Sequence, residues 1–156
     1  MKGMEIKADA IADIKGWKKA ANKIVFTNGC FDLLHPGHIS LLKGAKDLGD
    51  KLIVGVNSDS SVKRLKGENR PVFSLEERVT VLSSLACVDL VIPFDQDTPE
   101  ELIKVIVPDI LVKGGDYQNK NIVGSKFVLK NGGLIKTIKF EQGYSTTEII
   151  RKIKRL

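Results

Sequence analysis

The chain is poor in cysteine, in histidine and in long apolar runs. Its 156 residues include only two cysteines, Cys30 and Cys87, so a disulfide framework of the kind that holds small secreted domains together is excluded. No apolar run approaches the roughly 18 residues that a membrane span needs. The first 19 residues are charged throughout and lack the apolar core of a signal peptide. These absences predict a cytoplasmic protein with no membrane partner.

Aromatic residues are also scarce, and the charges are unevenly distributed. The formal net charge is +6, and ten of the 25 lysine and arginine residues follow Val112, whereas only three of the 19 acidic residues do. A basic surface of this kind can attract nucleic acid or small phosphorylated ligands. Because no aromatic side chains alternate with these cations, we expect small phosphorylated partners and no nucleic acid. Apolar residues make up 42% of the chain, which is enough to bury the core of one ordinary domain.

Short apolar segments rich in β-branched residues alternate with amphipathic segments along the chain. This alternation predicts βαβ units and an α/β fold, a single-layer doubly wound parallel sheet of about five strands. The predicted strands are residues 23–28, 51–57, 88–94, 109–115 and 133–140. The predicted helices are residues 7–19, 36–48, 74–85, 98–107, 121–130 and 145–154, with a polar, basic loop over residues 58–71. We expect one domain over residues 1–156, in which residues 1–22 form a helical extension to a core of residues 23–156.

The expected binding site follows from the sheet. Ligands of doubly wound sheets bind beyond the carboxyl ends of the strands, where the strand order reverses. That rule nominates residues 28–38, 57–70, 113–117 and 141–147. The same segments concentrate the glycine, histidine, aspartate, lysine and hydroxyl residues of the chain, so the topological rule and the composition indicate one site.

The two histidines, His35 and His38, lie three residues apart at the start of a predicted helix. A stable zinc site would need three or four protein ligands, and Cys30 is the nearby candidate for a third. Packing against the core is a second interpretation. The third is a phosphate site, because a helix N-terminus offers free N–H groups and the positive end of the helix dipole. Gly37 lets a phosphate approach the backbone closely, and we therefore favour the phosphate site.

Two motifs carry a family resemblance. The segment GCFDLLHPGH resembles the H-x-G-H signature of the nucleotidyltransferase superfamily, which includes the cytidylyltransferases and the class I aminoacyl-tRNA synthetases. GYSTTEII resembles the second signature of that superfamily, an S-[ST]-[ST] triplet that opens a late helix. Residues 57–103 and the segment PDILVKGGDY narrow the resemblance to the adenylyltransferase domains that form ADP-heptose, over roughly residues 23–153. In many bacteria such a domain follows a sugar kinase; for this chain we expect the stand-alone form, with a short N-terminal helix instead.

This resemblance implies an enzyme that transfers AMP from ATP to D-glycero-β-D-manno-heptose 1-phosphate, with Mg²⁺ as cofactor, for the synthesis of lipopolysaccharide or a related surface glycan. A phosphate monoester is already an anionic nucleophile. The expected reaction is therefore in-line attack on the α-phosphorus without a covalent intermediate, catalysed by positioning and charge stabilisation. Relatives often form dimers, so a homodimer is a further expectation.

The resemblance leaves two alternatives. One is another sugar- or polyol-phosphate nucleotidyltransferase, such as a glycerol-3-phosphate cytidylyltransferase that uses CTP. Those relatives carry an arginine where this chain has Phe140, which favours ATP here. The other is a non-catalytic nucleotide- or RNA-binding module, which the C-terminal lysines suggest and the two intact motifs oppose.

The resemblance also implies roles for residues of this sequence. His35, His38 and Lys66 are expected to be catalytic, because they would hold the triphosphate and reach the α-phosphate. The residues expected to bind the nucleotide are Asn28, Gly29, Phe31, Gly37, Lys113, Gly115, Asp116, Gly143, Ser145, Thr146 and Thr147. The residues expected to bind the sugar phosphate are Asp32, Asn57, Asp59, Arg70 and Arg78. For Asp59 a turn or helix-capping role is an equal alternative, and no acidic cluster marks a metal site built by the protein.

Overall fold

The computed structural model of the protein describes residues 6–115, 122–139 and 143–156. Its strands there are β1 (Ile24–Gly29), β2 (Lys51–Asn57), β3 (Leu90–Phe94), β4 (Ile110–Gly114) and β5 (Leu134–Ile138). Its helices there are α1 (Ala8–Lys19), α2 (Pro36–Lys46), α3 (Asp59–Lys66), α4 (Leu75–Ser83), α5 (Glu100–Ile106), α6 (Ser125–Lys130) and α7 (Thr146–Ile153). None of the helices within these ranges combines the length and the apolar character that crossing a membrane requires.

The five strands form one parallel sheet in the order β3–β2–β1–β4–β5. The predicted doubly wound α/β sheet is therefore confirmed. The central strand β1 pairs with β2 on one side and with β4 on the other, with Val25 opposite Leu52 and Ile110. Strands covered by helices on both faces read as continuous apolar runs, and Ile24, Val25 and Phe26 are fully buried.

The sheet divides the core into two apolar clusters, one on each face. On one face Ile14 of α1, Ile103 and Ile106 of α5 and Val128 of α6 pack against the strands. On the other face α2 and α4 supply the apolar side chains, among them Leu42 of α2. Because the crossovers after β1 and after β3 lie on opposite faces, the helices that begin at the carboxyl edge of the sheet approach that edge from both sides.

The prediction of a loop over residues 58–71 is wrong in its first half, where α3 forms. Ser58 caps this helix, since its Oγ accepts a hydrogen bond from the backbone N–H of Ser61 at 3.1 Å. Only Ser61 and Val62 of α3 are buried, and the other residues are polar or exposed. Because its apolar face is so narrow, α3 shows almost no helical periodicity of apolar residues in the sequence. This explains why a loop was predicted there.

The remaining predicted elements are present: β2 has the predicted bounds, β1 is shifted by one residue, and the others are shorter than predicted. The predicted capping box of α4 is confirmed: Ser74 Oγ accepts from the backbone N–H of Glu77, and Glu77 accepts from the backbone N–H of Ser74 at 2.8 Å. The predicted helix over residues 121–130 begins only at Ser125, after Gly124 with a φ of +83°.

Three aspartates fasten the amino-terminal edge of the sheet. Asp109 accepts from the backbone N–H of Ile24, and Asp89 accepts from that of Leu52, both at 2.7 Å. Asp50 accepts from the N–H of residue 23 at the same distance. Burial alone would raise the pKa of Asp89, but hydrogen bonds from Lys46, at 2.6 Å, and from Leu52 hold it below its usual range. These hydrogen bonds therefore stabilise the edge of the sheet that lies at the opposite end of the strands from the expected site.

Two glycines test the packing in opposite directions. A Cβ at Gly16 of α1 meets nothing within 4 Å, so Gly16→Ala should raise the free energy of unfolding by about 0.5–1 kcal/mol. A Cβ at Gly49 would lie 2.7 Å from Val25 Cγ2 and 2.8 Å from the carbonyl oxygen of Lys23, so Gly49→Ala should lower it by about 1–3 kcal/mol. Urea unfolding measures both changes, and equal effects of the two substitutions would contradict the packing described here.

Candidate functional site

A cavity of about 720 Å³ opens at the carboxyl edge of the sheet. It lies where β1 has β2 on one side and β4 on the other, which is the switch point of the strand order. Its walls come from the ends of β1, β2 and β4, the first turns of α2 and α7, the end of α3 and the loop after β3. The position that the topological rule predicted is therefore where the fold forms its large cavity.

The N-terminus of α2 forms one wall of the cavity. His35 is the N-cap residue and Pro36 takes the first helical position, where its missing N–H costs no hydrogen bond. A Cβ at Gly37 would lie 3.1 Å from the ring of His35, so glycine lets this ring lie against the first turn. The unpaired N–H groups of a helix start and the positive end of its dipole make this wall suitable for an anion.

The two histidines lie against each other at this wall. Their ring centroids are 3.8 Å apart with an interplanar angle of 24°, and Phe31 packs against His38 at 5.3 Å. Both Nδ1 atoms are buried and have no hydrogen-bond partner among the described residues. Burial lowers the pKa of His35, while burial and the neighbouring His35 lower the pKa of His38 to about 4, against a hydrogen bond to the Leu33 backbone that raises it. Two neutral imidazoles at pH 7, each with an unpaired ring nitrogen, line the anion wall.

The N-terminus of α7 lies beside that of α2. Ser145 is its N-cap, and its Oγ accepts from the backbone N–H of Glu148 at 3.1 Å. Thr146 Oγ1 donates to the carbonyl oxygen of Leu33 at 3.3 Å, which joins the start of α7 to the turn before α2. The two signature motifs, more than 100 residues apart, thus present two helix N-termini to one cavity.

Lys113 supplies a cation on the β4 side of the central strand β1, away from α3. Lys113, near the end of β4, donates from Nζ to Asn28 Oδ1 at 2.9 Å, across the switch point. Burial lowers the pKa of Lys113. Both residues line the cavity, as does Gly29 at the end of β1. The hydrogen bond fixes the ammonium group at the β4 side of the cavity.

Asp32 and Arg70 form a buried pair in the cavity wall. Arg70 Nε donates to Asp32 Oδ2 at 2.5 Å, and the backbone N–H groups of Val72 and Phe73 donate to Asp32 Oδ1 at 2.8 and 3.0 Å. Burial raises the pKa of Asp32, but the hydrogen bonds from Phe73, Val72 and Arg70 outweigh it and hold that pKa below its usual range. The carboxylate is thereby committed to the protein, and the Nη atoms of Arg70, which donate to no described residue, are the groups left for a ligand.

Lys66 and Asn57 line the same side of the cavity. Lys66 ends α3, is exposed, and makes no hydrogen bond or ion pair with any described residue. Asn57 ends β2 with 3% of its surface exposed, and its Nδ2 donates to Ser61 Oγ at 3.0 Å. This side therefore offers one free ammonium group and one fixed amide.

Arg78 and Asp59, which were expected to bind the sugar phosphate, do not line the cavity. Arg78 is 1% exposed and its Nη2 pairs with Asp59 Oδ1 at 2.7 Å. Its other donors bind the backbone carbonyls of Cys30, Asn57 and Phe73. The physical reason is burial: a guanidinium group within the core must satisfy its N–H groups on the protein.

Some of the remaining residues that were expected at the site line the cavity, and others do not. Thr147 lines the cavity with its two neighbours in the triplet. Gly115 and Gly143 adopt φ values of +104° and +90°, which favour glycine, but neither lines the cavity. Asp116, expected at the nucleotide, lies outside the described residues, as does Phe140.

The structure adds cavity residues that the sequence interpretation missed. Asp97 and Thr98 follow β3, and Asp97 Oδ1 accepts from Arg64 Nε at 2.8 Å. Tyr144 is 46% exposed and lies nearly parallel to His35, with ring centroids 6.3 Å apart. The rule that nominated four strand ends applies equally to the loop after β3, so the signal for Asp97 and Thr98 was available.

No protein-built metal site is evident in the part of the chain that the structure describes. No three His, Cys, Asp or Glu side chains converge there. Cys30, considered as a third zinc ligand, has its Sγ 4.0 Å from Asn57 Oδ1, and burial raises the pKa of its thiol. A divalent ion at this cavity would depend on the phosphate oxygens of its ligand, as Mg²⁺ commonly does.

Comparison with known proteins gives concordant matches. The family model described as cytidylyltransferase-like matches residues 26–152. The chain is 58% identical to the bifunctional protein HldE of Haemophilus influenzae (strain PittEE) over 156 residues, 100% of this chain and 32% of that protein. It is also 58% identical to HldE of Histophilus somni (strain 129Pt) over 139 residues, 89% of this chain and 29% of that protein. The chain thus spans about a third of the length of these relatives, and the first match includes residues 1–22.

Among solved structures, one is described as the lipopolysaccharide core biosynthesis protein from Thermoplasma volcanium GSS1. Its TM-score to this chain is 0.61 at 31% identity, over 80% of this chain and 99% of that one. The structural match agrees with the family match.

The low pKa of the histidines can be tested directly, because the chain holds only two of them. We expect the imidazole of His38 to titrate near pH 4, and that of His35 below 6.5, because both are desolvated. Addition of inorganic triphosphate should raise both midpoints, since a nearby anion favours the imidazolium form. Histidine proton NMR measures them, with His35→Gln for assignment. Midpoints near 6.5 for both free rings would contradict this electrostatic description.

Proposed function

Because the chain belongs to the cytidylyltransferase-like family, a family of nucleotidyltransferases, we propose that it transfers AMP from ATP to D-glycero-β-D-manno-heptose 1-phosphate and releases pyrophosphate and ADP-heptose. The observation that carries the proposal is the pair of helix N-termini, joined by Thr146 and Leu33, that face one cavity with two neutral histidines between them. This arrangement suits a triphosphate, because the positive dipole ends of two helices favour an anion without adding a fixed charge.

The heptose acceptor is supported by similarity and by the chemistry of the cavity. Residues 57–103 resemble the adenylyltransferase domains that form ADP-heptose, and a solved relative is described as a lipopolysaccharide core biosynthesis protein. On the β2–β3 side, Asp97 Oδ2 has no partner among the described residues, and Thr98 adds an exposed hydroxyl group. These groups can accept and donate hydrogen bonds to the hydroxyl groups of a sugar.

The proposed reaction is one displacement at the α-phosphorus. A phosphate oxygen of the acceptor forms the new bond, and the bond from the α-phosphorus to the bridging oxygen breaks, so that pyrophosphate leaves with the electron pair. No general base is needed, because the acceptor phosphate is already ionised near pH 7. A covalent alternative has little support: Ser145 Oγ is committed to capping α7, and burial raises the pKa of the Cys30 thiol.

The residues of the chain would then act by position and charge. The first turns of α2 and α7 hold the β- and γ-phosphates, and the rings of His35 and His38, which line the cavity beside the start of α2, stabilise phosphoryl oxygens. Lys66, which lines the cavity and makes no ion pair with a described residue, would reach the α-phosphate from the β2 side. Lys113 and Asn28 bind at the β4 side, where we place the nucleoside. Charge that develops on the departing oxygens is stabilised by donors that are already oriented.

Mg²⁺ is part of the proposal as a companion of the nucleotide. When bound, it would neutralise phosphate charge, a role that fits the absence of any three converging metal-ligand side chains in the described residues. The carboxylate of Asp32 is already held by three N–H donors, so it is a poor candidate for a direct ligand.

A substrate panel tests the function. ATP, CTP, GTP and UTP are each paired with heptose 1-phosphate and with glycerol 3-phosphate, and pyrophosphate release is measured. We expect the highest kcat/KM for ATP with heptose 1-phosphate. A preference for CTP with glycerol 3-phosphate would instead identify a polyol-phosphate cytidylyltransferase. RNA binding without pyrophosphate from any pair would identify a non-catalytic module.

The role of the histidine pair is tested by His38→Ala. We expect kcat to fall by about 10²–10³-fold, because one oriented donor to the transition state is lost. Lys43→Ala, on the exposed face of the same helix and away from the cavity, is the control and should keep the wild-type kcat. Circular dichroism verifies folding of both variants, and a folded His38→Ala enzyme with near-normal turnover would refute the assignment.

A further inference from the structure

We propose that Arg78 is a positioning residue that fixes the acceptor side of the cavity against the histidine wall. The inference rests on the proposed function, because its readout is transfer to an acceptor. Arg78 does not touch the cavity, so any effect on the reaction must pass through the residues it holds. Its side chain is fully buried on α4, behind the wall that carries Asn57 and Asp32.

The guanidinium group of Arg78 joins three segments of the chain, around Cys30, residues 57–59 and Phe73. Nη1 donates to the carbonyl oxygen of Cys30 at 2.6 Å and to that of Asn57 at 2.8 Å. Nε donates to the carbonyl oxygen of Phe73 at 3.1 Å, and Nη2 pairs with Asp59 Oδ1 at 2.7 Å. A planar group with five N–H donors can serve four acceptors at fixed angles, whereas a lysine ammonium group has three donors and no fixed plane.

Each of these segments carries a residue of the cavity. Cys30 begins the turn that leads through Asp32 to His35. Phe73 donates its N–H to Asp32 at 3.0 Å, and Asp32 in turn holds Arg70. Asn57 lines the cavity directly. A shift of the Arg78 side chain would therefore displace Asp32, Arg70 and Asn57 together, and these residues line the acceptor side of the cavity.

Asp59 extends this connection to Lys66. It is the first residue of α3, and Lys66 is the last, so the ion pair with Arg78 anchors the start of the helix whose end faces the cavity. The carboxyl group of Asp59 is about half exposed, at 45%, which means that its substitution perturbs the core less than that of Arg78.

Among the described residues, the nucleotide side of the cavity is connected to Arg78 only through the carbonyl oxygen of Cys30. Lys113 is held by Asn28, and Thr146 is held by Leu33, and none of these groups contacts Arg78. We therefore expect Arg78 to affect transfer to the acceptor while leaving ATP binding almost unchanged. A general loss of structure would weaken both.

Arg78→Lys is the principal variant. We expect kcat for transfer to heptose 1-phosphate to fall by about 10–100-fold, with a raised KM for the acceptor, because displacement of reacting groups by about 1 Å is enough for such a loss. The Kd for ATP, measured by calorimetry, should stay within about twofold of wild type. Should Arg78→Lys not fold, Asp59→Asn provides the second variant, with a smaller loss in the same parameters.

Asp89→Asn is the matched control. Asp59 and Asp89 each accept from a cation, at 2.7 and 2.6 Å, but Asp89 lies at the amino-terminal edge of the sheet, far from the cavity. Both substitutions remove one carboxylate charge from an ion pair. We expect Asp89→Asn to lower the unfolding midpoint and to retain wild-type kcat and KM when assayed well below that midpoint.

The outcomes separate the two proposals. If Asp59→Asn and Arg78→Lys behave kinetically like Asp89→Asn, or if they weaken ATP binding as much as acceptor use, the positioning role is refuted and the proposed function stands. If the wild-type enzyme transfers to no sugar phosphate, the proposed function fails and the inference fails with it. The positioning role is supported if Arg78→Lys and Asp59→Asn lower the kcat for transfer to the acceptor without weakening ATP binding, while Asp89→Asn keeps the wild-type kcat.

Discussion

The parallel pairing of β1 with both β2 and β4 is the constraint on which the rest of the structure depends. Since the chain leaves β1 toward one neighbour and reaches the other only through a long crossover, the carboxyl ends of the two flanking strands diverge and open a cavity. The hydrogen bond from Thr146 to the carbonyl oxygen of Leu33 joins the first turn of α7 to the turn before α2 at this opening. Lys113 and Asn28 span the opening with a hydrogen bond, which keeps both strand ends in register above it.

Electrostatics then divides this cavity into regions with different tasks. The helix starts and the neutral histidines offer donors with little net charge, which suits a ligand that brings its own negative charge and its own counterion. Lys66 and the Nη atoms of Arg70 are the flexible or unpaired cations on the β2 side. Asp97 and Thr98 add acceptors farther along the same side. In the proposed function, the sugar phosphate would approach the nucleoside triphosphate from the β2 side.

Sequence reasoning reached the parts of this structure that depend on local signals. The alternation of elements predicts the sheet, and the two signature motifs predict that His35 and Ser145 share one site. It failed where burial decides. Only Ser61 and Val62 of α3 are buried, so its sequence shows no helical periodicity of apolar residues. Arg78 is buried with its N–H groups bonded to backbone carbonyls, and no sequence pattern indicates such an environment. A resemblance assigns a role to a position, but only the packing around that position determines which way its side chain points.

The central claim is that both substrates meet in this cavity and react in one step. The most direct measurement is the stereochemical course at the α-phosphorus, with an ATP analogue made chiral there by sulfur substitution and the product analysed by phosphorus NMR. One in-line displacement predicts inversion of configuration. Retention would require a second displacement through a covalent enzyme intermediate, and it would contradict the account of a site that acts by position and charge alone.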